Sequence, residues 1–377
     1  RSTPASSSAA SDVYKRQYRN MGKLIAFDME GCDFFVSKLL EIWDKGHSVF
    51  PLDQRLPQAK KEQLVKAFGV SEVISEKETY KAKGILMEPD DALVIATSGT
   101  TGDPKGVVLT HTALKASSRV TSSQLDVQNS VDEWLCCIPV SHIGGFSVIT
   151  RALHNGVRLR VQRRFDAALC EEAGRSGSTL VSLVPIALGR IDSSVFRKIL
   201  VGGAAAPQIL PDNVIVTYGL TETGSGIVYN GTPLPDVKIE IRDGEIVVQS
   251  PTLFSRYLGD ESQNSEQWFT TGDAGFFQDD QKLVVTGRLD DAIVTGGEKV
   301  WPTLIERELD SLGLFSEHVV VGRYDQEWGQ AVTIIGVPKN SEKPLDISDI
   351  RDQLRDSLPN YSLPKAIEIV DELPRNA

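Results

Sequence analysis

The chain has 377 residues, of which 41% are hydrophobic, 24% charged and 7% aromatic. This length suits one large domain with a smaller one, and the composition is that of a globular protein with a sizeable core. The formal charge is −11, from 51 acidic and 40 basic residues. That balance argues against a general nucleic-acid binder, because phosphate backbones are held by clustered Lys and Arg.

The cysteines and the N-terminal segment indicate where the protein works. Cys32, Cys136, Cys137 and Cys170 lack metal-finger or CxxC spacing. The adjacent pair lies in an apolar run, which favours buried thiols and a reducing, cytoplasmic compartment. No apolar run approaches the ~20 residues that span a bilayer, so we expect no membrane span. Residues 1–17 are rich in Ser and Ala without the apolar core of a secretory signal, and we treat them as a non-native or disordered tail.

Helical spacing of apolar residues alternates with short strand-like runs up to about residue 230. The predicted helices are 34–45, 58–68, 112–123, 145–154 and 166–175. The predicted strands are 48–52, 70–75, 92–97, 157–161, 179–184, 198–201 and 214–217. Several are continuous apolar runs, typical of buried parallel strands. This alternation predicts an open α/β sheet covered by helices.

The pattern changes after about Gly231. Strand candidates 237–242, 245–249 and 282–286 surround Asp-Gly and Asp-Asp turns, as in antiparallel hairpins. A compact α+β segment follows, with predicted helices 303–312 and 347–358 and strands 318–322, 331–337 and 366–370. We therefore expect a large domain over residues 18–289 and a small one over 290–377.

The strongest functional signal is the ten-residue run TSGTTGDPKG from Thr97 to Gly106. Its glycines allow a tight turn that presents N–H groups to an anion, its hydroxyls add donors, and Lys105 adds a positive charge. It is not a Walker A loop, because Pro104 precedes the lysine and Gly106 follows it. The run predicts a polyphosphate site made of Thr97, Ser98, Gly99, Thr100, Thr101, Gly102 and Lys105.

This run resembles the signature loop of the adenylate-forming superfamily, which includes acyl-CoA ligases, firefly luciferase and the adenylation domains of peptide synthetases. Further blocks occur in that family's order from about Phe50 to the C-terminus. The resemblance implies a large N-terminal domain of stacked α/β sheets with a β-rich subdomain, and a small α+β C-terminal domain on a hinge at Asp290. It also implies an ATP- and Mg²⁺-dependent acid–thiol ligase that forms an acyl-adenylate and then a thioester with coenzyme A.

The resemblance assigns nucleotide contacts to residues in two later blocks. In YGLTET, residues 218–223, it implies that Tyr218 stacks on adenine beside Gly219, that Thr221 contacts the α-phosphate, and that Glu222 holds Mg²⁺. Hard cations prefer such oxygen ligands. Asp273 and Arg288 resemble the ribose contacts. From the residues alone, the aspartate could be a turn residue and the arginine a surface ion pair.

Three further blocks resemble the walls of the acyl and thiol sites. Gly203 and Ala204 resemble the segment beside the adenine and acyl pockets, although a plain strand-to-helix turn would have the same composition. His142, in PVSHIGG, resembles the residue at the acyl–thiol junction, and we assign it to substrate positioning, not proton transfer. Gly297, in GGEKV, resembles the loop that borders the thiol tunnel.

The family carries a C-terminal lysine shortly after a Leu-Pro-Arg-Asn-type segment. Here the matching residues 373–377, LPRNA, are the last of the sequence. We expect a chain truncated at that point, with slow adenylation and largely retained transfer from a supplied acyl-adenylate.

The segment VFPLDQRLP, residues 49–57, together with the SHIGGF and TGGEKVWP blocks, looks most like the o-succinylbenzoate–CoA ligases of menaquinone or phylloquinone biosynthesis. The resemblance implies an aromatic dicarboxylate as substrate, whose second carboxylate needs a basic or hydroxyl partner; Ser141, Arg151 and Thr223 are available. The alternatives are another small aryl- or acyl-CoA ligase, an adenylation domain that loads a carrier protein, and a non-enzymatic nucleotide sensor. Whether the chain forms a homo-oligomer is left open.

Overall fold

The computed structural model describes residues 21–98, 104–204, 209–260, 267–340 and 345–373. The helices α1 to α8 are Asp33–Asp44, Gln58–Ala67, His111–Gln124, Ile143–Asn155, Ala167–Arg175, Pro185–Leu188, Pro302–Leu312 and Ile347–Leu354. The strands β1 to β24 are Gly22–Asp28, Ser48–Pro51, Glu72–Ser75, Thr79–Lys81, Leu86–Met87, Asp91–Ser98, Pro104–Thr110, Glu133–Cys136, Arg158–Val161, Leu180–Leu183, Lys198–Val201, Val214–Leu220, Ser225–Tyr229, Thr232–Pro233, Lys238–Arg242, Glu245–Gln249, Arg256–Tyr257, Phe269–Phe277, Leu283–Arg288, Ile293–Thr295, Glu298–Val300, Phe315–Asp325, Gly329–Pro338 and Ala366–Ile369.

The chain divides into two compact units, residues 1–238 with 249–268, and residues 239–248 with 269–377. The second unit thus includes strands that the sequence interpretation placed in the large domain. The boundary expected at Asp290 stays a prediction, since a hinge is defined by motion and not by contacts.

The first sheet of the first unit has the order β17-β7-β6-β2-β1-β3-β4, with β5 on β1. Its centre is parallel, as expected of an α/β sheet built from alternating strands and helices. Strands β4, β7 and β17 are antiparallel to their neighbours, so the expectation of parallel strands does not extend to the edges. Buried side chains such as Leu24, Phe50 and Val108 form its core.

The second sheet has the order β14-β13-β12-β11-β10-β8-β9. Strands β8 to β12 are parallel, and the side chains of Leu135, Val181 and Ile199 are completely buried in the core on this sheet. Helix α3 packs on β6 and β7, α4 packs on β8 and β10, and the two helices pack on each other. The helix pair therefore lies between the two sheets, which is the stacked α/β arrangement that the family resemblance implied.

The second unit contains two smaller sheets. One has the order β15-β16-β18-β19, and its β16, β18 and β19 are antiparallel. The other has the order β21-β20-β23-β22, with β24 parallel to β23. Helices α7 and α8 bury Ile305, Leu309, Ile350 and Leu354 in the core of this α+β unit.

Local chemistry explains where several helices begin and end. Asp166 is the N-cap of α5, and its side chain accepts a hydrogen bond from Leu169 N at 3.0 Å, so the helix begins one residue later than predicted. Helix α8 ends at Leu354, four residues before the predicted end at 358. Pro359 disfavours the α conformation of Leu358, the residue before it, so the helix cannot continue through the predicted end.

The cysteine and membrane expectations can be compared with the described residues. Cys136, Cys137 and Cys170 are buried, as predicted for the adjacent pair. Burial raises the pKa of the Cys136 thiol to about 12, so this group stays protonated at neutral pH. None of the described helices is both long enough and apolar enough to cross a bilayer.

Candidate active site

The run from Thr97 to Gly106, predicted to bind a polyphosphate and called the polyphosphate run below, connects two paired strands. Strands β6 and β7 are antiparallel, and Thr97 lies opposite Lys105. Gly99, Thr100, Thr101 and Gly102 lie outside the described residues, and the backbone of Ser98 ends β6. Lys105 is exposed, and its Nζ lies 5.1 Å from the centroid of the Tyr257 ring. The lysine therefore stands at the surface, at the end of a hairpin connection.

Glu222, the expected Mg²⁺ ligand, is linked to the same tyrosine. It lies in the 3-10 turn Thr221–Thr223, and its Oε1 accepts a hydrogen bond from Tyr257 Oη at 3.0 Å. Its backbone oxygen accepts from Phe254 N at 2.8 Å. Tyr257 thus contacts both Lys105 and Glu222, which the sequence placed 117 residues apart.

Tyr257 was not identified from the sequence. It belongs to β17, a strand of two residues that pairs with β7 through Val107 and Val108. The preceding Arg256 forms a bidentate ion pair with Asp91, with Nη1–Oδ1 at 2.9 Å and Nη2–Oδ2 at 2.6 Å. These two side chains are only 12% and 1% exposed. A buried pair of this geometry holds β17 against the start of β6 and so positions the tyrosine.

Gly219 is explained by the close approach of two strands. The pairing of β12 with β13 is irregular between Tyr218 and Gly219. A Cβ at Gly219 would lie 2.2 Å from the Ser225 carbonyl oxygen, which no other residue could tolerate without a backbone shift. Tyr218 and Thr221 are half-buried beside this irregularity. The glycine lets the strand pass directly into the turn that carries Glu222.

The three residues available for a second carboxylate differ in their surroundings. Thr223 is buried, and its hydroxyl contacts the backbone oxygens of Leu220 and Ser225 at 2.9 and 2.8 Å, so its proton is already used. Ser141 Oγ and Arg151 Nε are buried without a hydrogen-bond partner in the described part of the chain. Unsatisfied buried polar atoms are costly, and a ligand group could satisfy them. The structure therefore favours Ser141 and Arg151 over Thr223.

His142 precedes helix α4 as its N-cap residue. Its Nε2 lies 2.6 Å from Arg55 Nη2 and 3.4 Å from Asp53 Oδ2. Both of these residues belong to the loop that follows β2. Desolvation of the ring lowers the pKa of His142; the Asp53 charge opposes this shift and the Arg55 charge adds to it. The sequence had not connected His142 with this loop.

Gly203 and Ala204 follow β11 and are exposed, and the adjoining residues 205–208 lie outside the described ranges. The assignment of this pair to the adenine and acyl pockets stays a prediction.

In the second unit, Asp273 and Arg288 lie directly opposite each other on β18 and β19. Arg288 Nη1 donates to Asp273 Oδ1 at 3.0 Å and to the Thr271 carbonyl oxygen at 2.9 Å. Asp273 is almost buried, at 6% exposure. The two residues predicted to contact ribose are therefore neighbours, and the surface ion pair that the sequence allowed for Arg288 is this same contact.

Gly296 and Gly297 form the turn of the hairpin between β20 and β21. Their φ angles are 59° and 86°, and Thr295 pairs with Glu298 across the turn. Two successive residues at positive φ are what a two-residue type I′ hairpin requires. The turn alone explains both glycines, so the contact of Gly297 with a thiol substrate stays a prediction.

Comparisons with known proteins show which family this chain is similar to. The family model described as AMP-binding enzyme matches residues 34–258, and the one described as AMP-binding enzyme C-terminal domain matches residues 305–377. A 2-succinylbenzoate–CoA ligase of Bacillus licheniformis is 34% identical over 331 residues, which cover 76% of this chain and 68% of the relative. The ligase of the same name from Lactococcus lactis is 34% identical over 321 residues, 77% of this chain and 69% of the relative.

Solved structures of similar proteins were also found. O-succinylbenzoate CoA synthetase (MenE) from Bacillus subtilis, in complex with the acyl-adenylate intermediate OSB-AMP, matches with a TM-score of 0.80 and 26% identity. That match covers 98% of this chain and 87% of the other. The same enzyme in complex with ATP and a magnesium ion matches with a TM-score of 0.80 and 25% identity, covering 98% and 88%.

Proposed function

The chain belongs to the AMP-binding enzyme family, and from that premise we propose that it is an ATP- and Mg²⁺-dependent ligase that joins 2-succinylbenzoate to coenzyme A. The family membership, the names of the relatives and the solved complexes with OSB-AMP, ATP and magnesium support this proposal. The observation that carries it is the convergence of Lys105 and Glu222 on Tyr257. A cation and a carboxylate that contact the same side chain suit a polyphosphate with its metal ion.

In the first step, a carboxylate oxygen of the acid attacks the α-phosphorus of ATP. The bond to pyrophosphate breaks, and an acyl-adenylate forms. Lys105 offsets negative charge that accumulates on the phosphates, which is a task that fixed cations perform well. The Glu222 carboxylate is the chemically suitable group for Mg²⁺, which when bound neutralises further phosphate charge. Thr221, in the same turn, is assigned to the α-phosphate.

In the second step, the thiolate of coenzyme A attacks the acyl carbon. The carbon–oxygen bond to AMP breaks, and the thioester forms while AMP leaves. Neither step needs a covalent bond to the protein. His142 is assigned to the acyl–thiol junction, where it orients the acyl group.

Arg151 is the best candidate to bind the second carboxylate of the substrate. It is 3% exposed, its Nη1 donates to Ser182 Oγ at 3.2 Å, and its guanidinium lies 5.4 Å from the Trp134 ring centroid. Among the described residues it has no carboxylate partner. A buried charge without a counter-ion is unfavourable by several kcal/mol. The carboxylate of a bound dicarboxylic acid would supply the missing negative charge.

The function is tested by acid-dependent release of pyrophosphate from ATP across a panel of carboxylic acids, followed by thioester formation with coenzyme A or a phosphopantetheine carrier. We expect o-succinylbenzoate to give the highest kcat/KM, and coenzyme A to be the acceptor. Preference for simple benzoates or medium-chain acids would identify another aryl- or acyl-CoA ligase. Transfer only to the carrier would identify a loading domain, and ATP binding without pyrophosphate release would contradict the ligase assignment.

The role of Arg151 is tested with the variant Arg151→Gln. We expect the KM for o-succinylbenzoate to rise by about tenfold or more, because a charged hydrogen bond contributes ~1.5–3 kcal/mol. An analogue whose second carboxylate is a methyl ester is the internal control, and its KM should change little. Equal losses for the acid and its ester would rule out a specific contact between Arg151 and that carboxylate.

A further inference from the structure

Asp53, Arg55 and His142 form a cluster that the reaction scheme above does not use in full. All three lie in the first unit, and the histidine is separated from the arginine by 87 positions in sequence. Asp53 and Arg55 belong to the loop after β2, whereas His142 caps α4. The cluster is therefore assembled only when the first and second sheets of this unit come together.

The guanidinium of Arg55 is fixed by its aspartate. Arg55 Nε donates to Asp53 Oδ1 at 2.9 Å, Nη2 donates to Oδ2 at 2.6 Å, and the Arg55 backbone N–H donates to Oδ1 at 3.0 Å. Burial raises the pKa of Asp53, but the hydrogen bonds from Arg55 lower it by more, so that the net pKa lies below the ordinary value. This carboxylate is therefore charged at neutral pH. A planar guanidinium held at two positions has little freedom to turn.

The available hydrogen-bond donors and acceptors then determine the protonation state of the His142 imidazole. Arg55 Nη2 lies 2.6 Å from His142 Nε2, and a guanidinium has donors but no acceptor. The Nε2 atom must therefore accept this hydrogen bond through its lone pair. Asp53 Oδ2, at 3.4 Å from Nε2, is already bound to the same guanidinium and is too distant to compete for a proton there.

We infer that Asp53 and Arg55 are positioning residues that hold His142 neutral, with its single proton on Nδ1. This inference rests on the proposed ligase function, in which His142 lies at the acyl–thiol junction. No described residue accepts a hydrogen bond from Nδ1, and the His142 side chain is 54% exposed. The free Nδ1–H is the group that His142 presents to an oxygen of the acyl substrate. The neutral ring also adds no second positive charge beside Arg55.

The proton assignment is tested without substrate, by NMR of protein labelled with 15N-histidine. The spectrum reports which ring nitrogen is protonated and the pKa at which the second one gains a proton. In the unaltered protein we expect the Nδ1–H form and a pKa below that of an ordinary histidine. A spectrum with the proton on Nε2 would overturn the inference.

Two variants should shift this pKa in opposite directions. In Arg55→Gln, the repelling charge is lost while Asp53 remains, so the pKa of His142 should rise. In Asp53→Asn, the attracting charge is lost, so the pKa should fall. Arg55→Lys keeps the positive charge, so the pKa of His142 should stay close to that of the unaltered protein. Arg119→Gln, which removes an exposed arginine at 3.5 Å from Asp236, is the matched control. A purely structural role would not produce opposite signs, and shifts of the same sign would contradict the inference.

The same variants are then compared in catalysis. With Arg55→Gln, the acid limb of the kcat/KM profile should move to higher pH, since each unit of pKa rise lowers the neutral fraction below the pKa by about tenfold. The apparent KM for the acid should rise more than kcat falls. If the ligase is active and the pH dependence of kcat/KM is the same for Arg55→Gln and the unaltered chain, the inference about His142 is wrong and the ligase function still holds. If the unaltered chain released no pyrophosphate with any acid, the ligase function would fail, although the proton assignment could still hold.

Discussion

Tyr257 shows how a single residue can serve two charged groups through separate parts of its side chain. Its ring faces the Lys105 ammonium at 5.1 Å, and its hydroxyl donates to Glu222 at 3.0 Å. The first contact is a cation–π interaction, worth ~0.5–1 kcal/mol at an exposed site. The second is a charge-assisted hydrogen bond, worth ~1.5–3 kcal/mol. Because the two contacts use different atoms, they can be removed one at a time.

We predict that Tyr257→Phe raises the Mg²⁺ concentration needed for half-maximal adenylation by about tenfold, since the carboxylate loses its hydrogen bond but the ring remains. Tyr257→Leu should reduce the rate further, because it also removes the face beneath the lysine. The measurement is pyrophosphate release during a Mg²⁺ titration. Tyr80→Phe, at a half-exposed tyrosine of the same unit, is the matched control. Identical Mg²⁺ curves for Tyr257→Phe and the unaltered chain would show that the hydroxyl has no role.

At the scale of elements, the short strand β17 explains how the site is held together. A strand of two residues cannot be stable alone, and pairing with β7 fixes only its backbone. The Arg256–Asp91 pair adds a side-chain connection to β6, across 165 positions of sequence. Strands β6 and β7 also carry the ends of the polyphosphate run, so the same connection places Tyr257 beside Lys105.

We predict that Arg256→Met lowers the free energy of unfolding by about 3 kcal/mol or more, because it leaves the Asp91 charge buried and unpaired. Urea unfolding of the first unit provides the measurement. Arg175→Met removes the exposed arginine of an ion pair with Glu171, where the two side chains are 59% and 23% exposed, and should cost less than about 1 kcal/mol. Equal effects of the two substitutions would contradict the importance of the buried pair.

At the scale of the whole molecule, stability should depend on pH through carboxylates that pair with arginines. Asp132 is 1% exposed, and Arg197 donates to it at 2.7 and 3.0 Å. Burial raises the pKa of Asp132, but the bonds from Arg197, Gln128 and Thr179 hold it below its ordinary value of 3.8. A depressed pKa contributes stability that is fully present above the pKa of the unfolded chain and is lost as the pH falls through the folded pKa.

We therefore predict that the free energy of unfolding of the first unit falls as the pH drops below about 4. Asp132→Asn should be less stable at pH 7 and should lose less stability on acidification. Unfolding curves at a series of pH values measure both effects, with Asp212→Asn, at an exposed carboxylate, as the control. An unchanged acid slope in Asp132→Asn would show that this pair does not contribute to the pH dependence.

The sequence by itself determined the local structure and the chemical character of the site. Helical and strand periodicities located most elements within a few residues, because each depends on neighbouring residues. The run around Lys105, the turn with Glu222 and the later block with Asp273 were also recognisable, since each motif is continuous in sequence. The strand Phe269–Phe277, which brings Asp273 beside Arg288, was not predicted from the sequence.

Only the tertiary structure decided which distant residues complete these motifs. The contacts of Tyr257 with Lys105, of Arg256 with Asp91 and of Arg55 with His142 join positions far apart in the chain. Nothing in the local composition identifies such partners, because they depend on sheet order and on the packing of α3 and α4 between two sheets. Arg151 is likewise buried without a carboxylate partner among the described residues, and this depends on which side chains surround it in three dimensions.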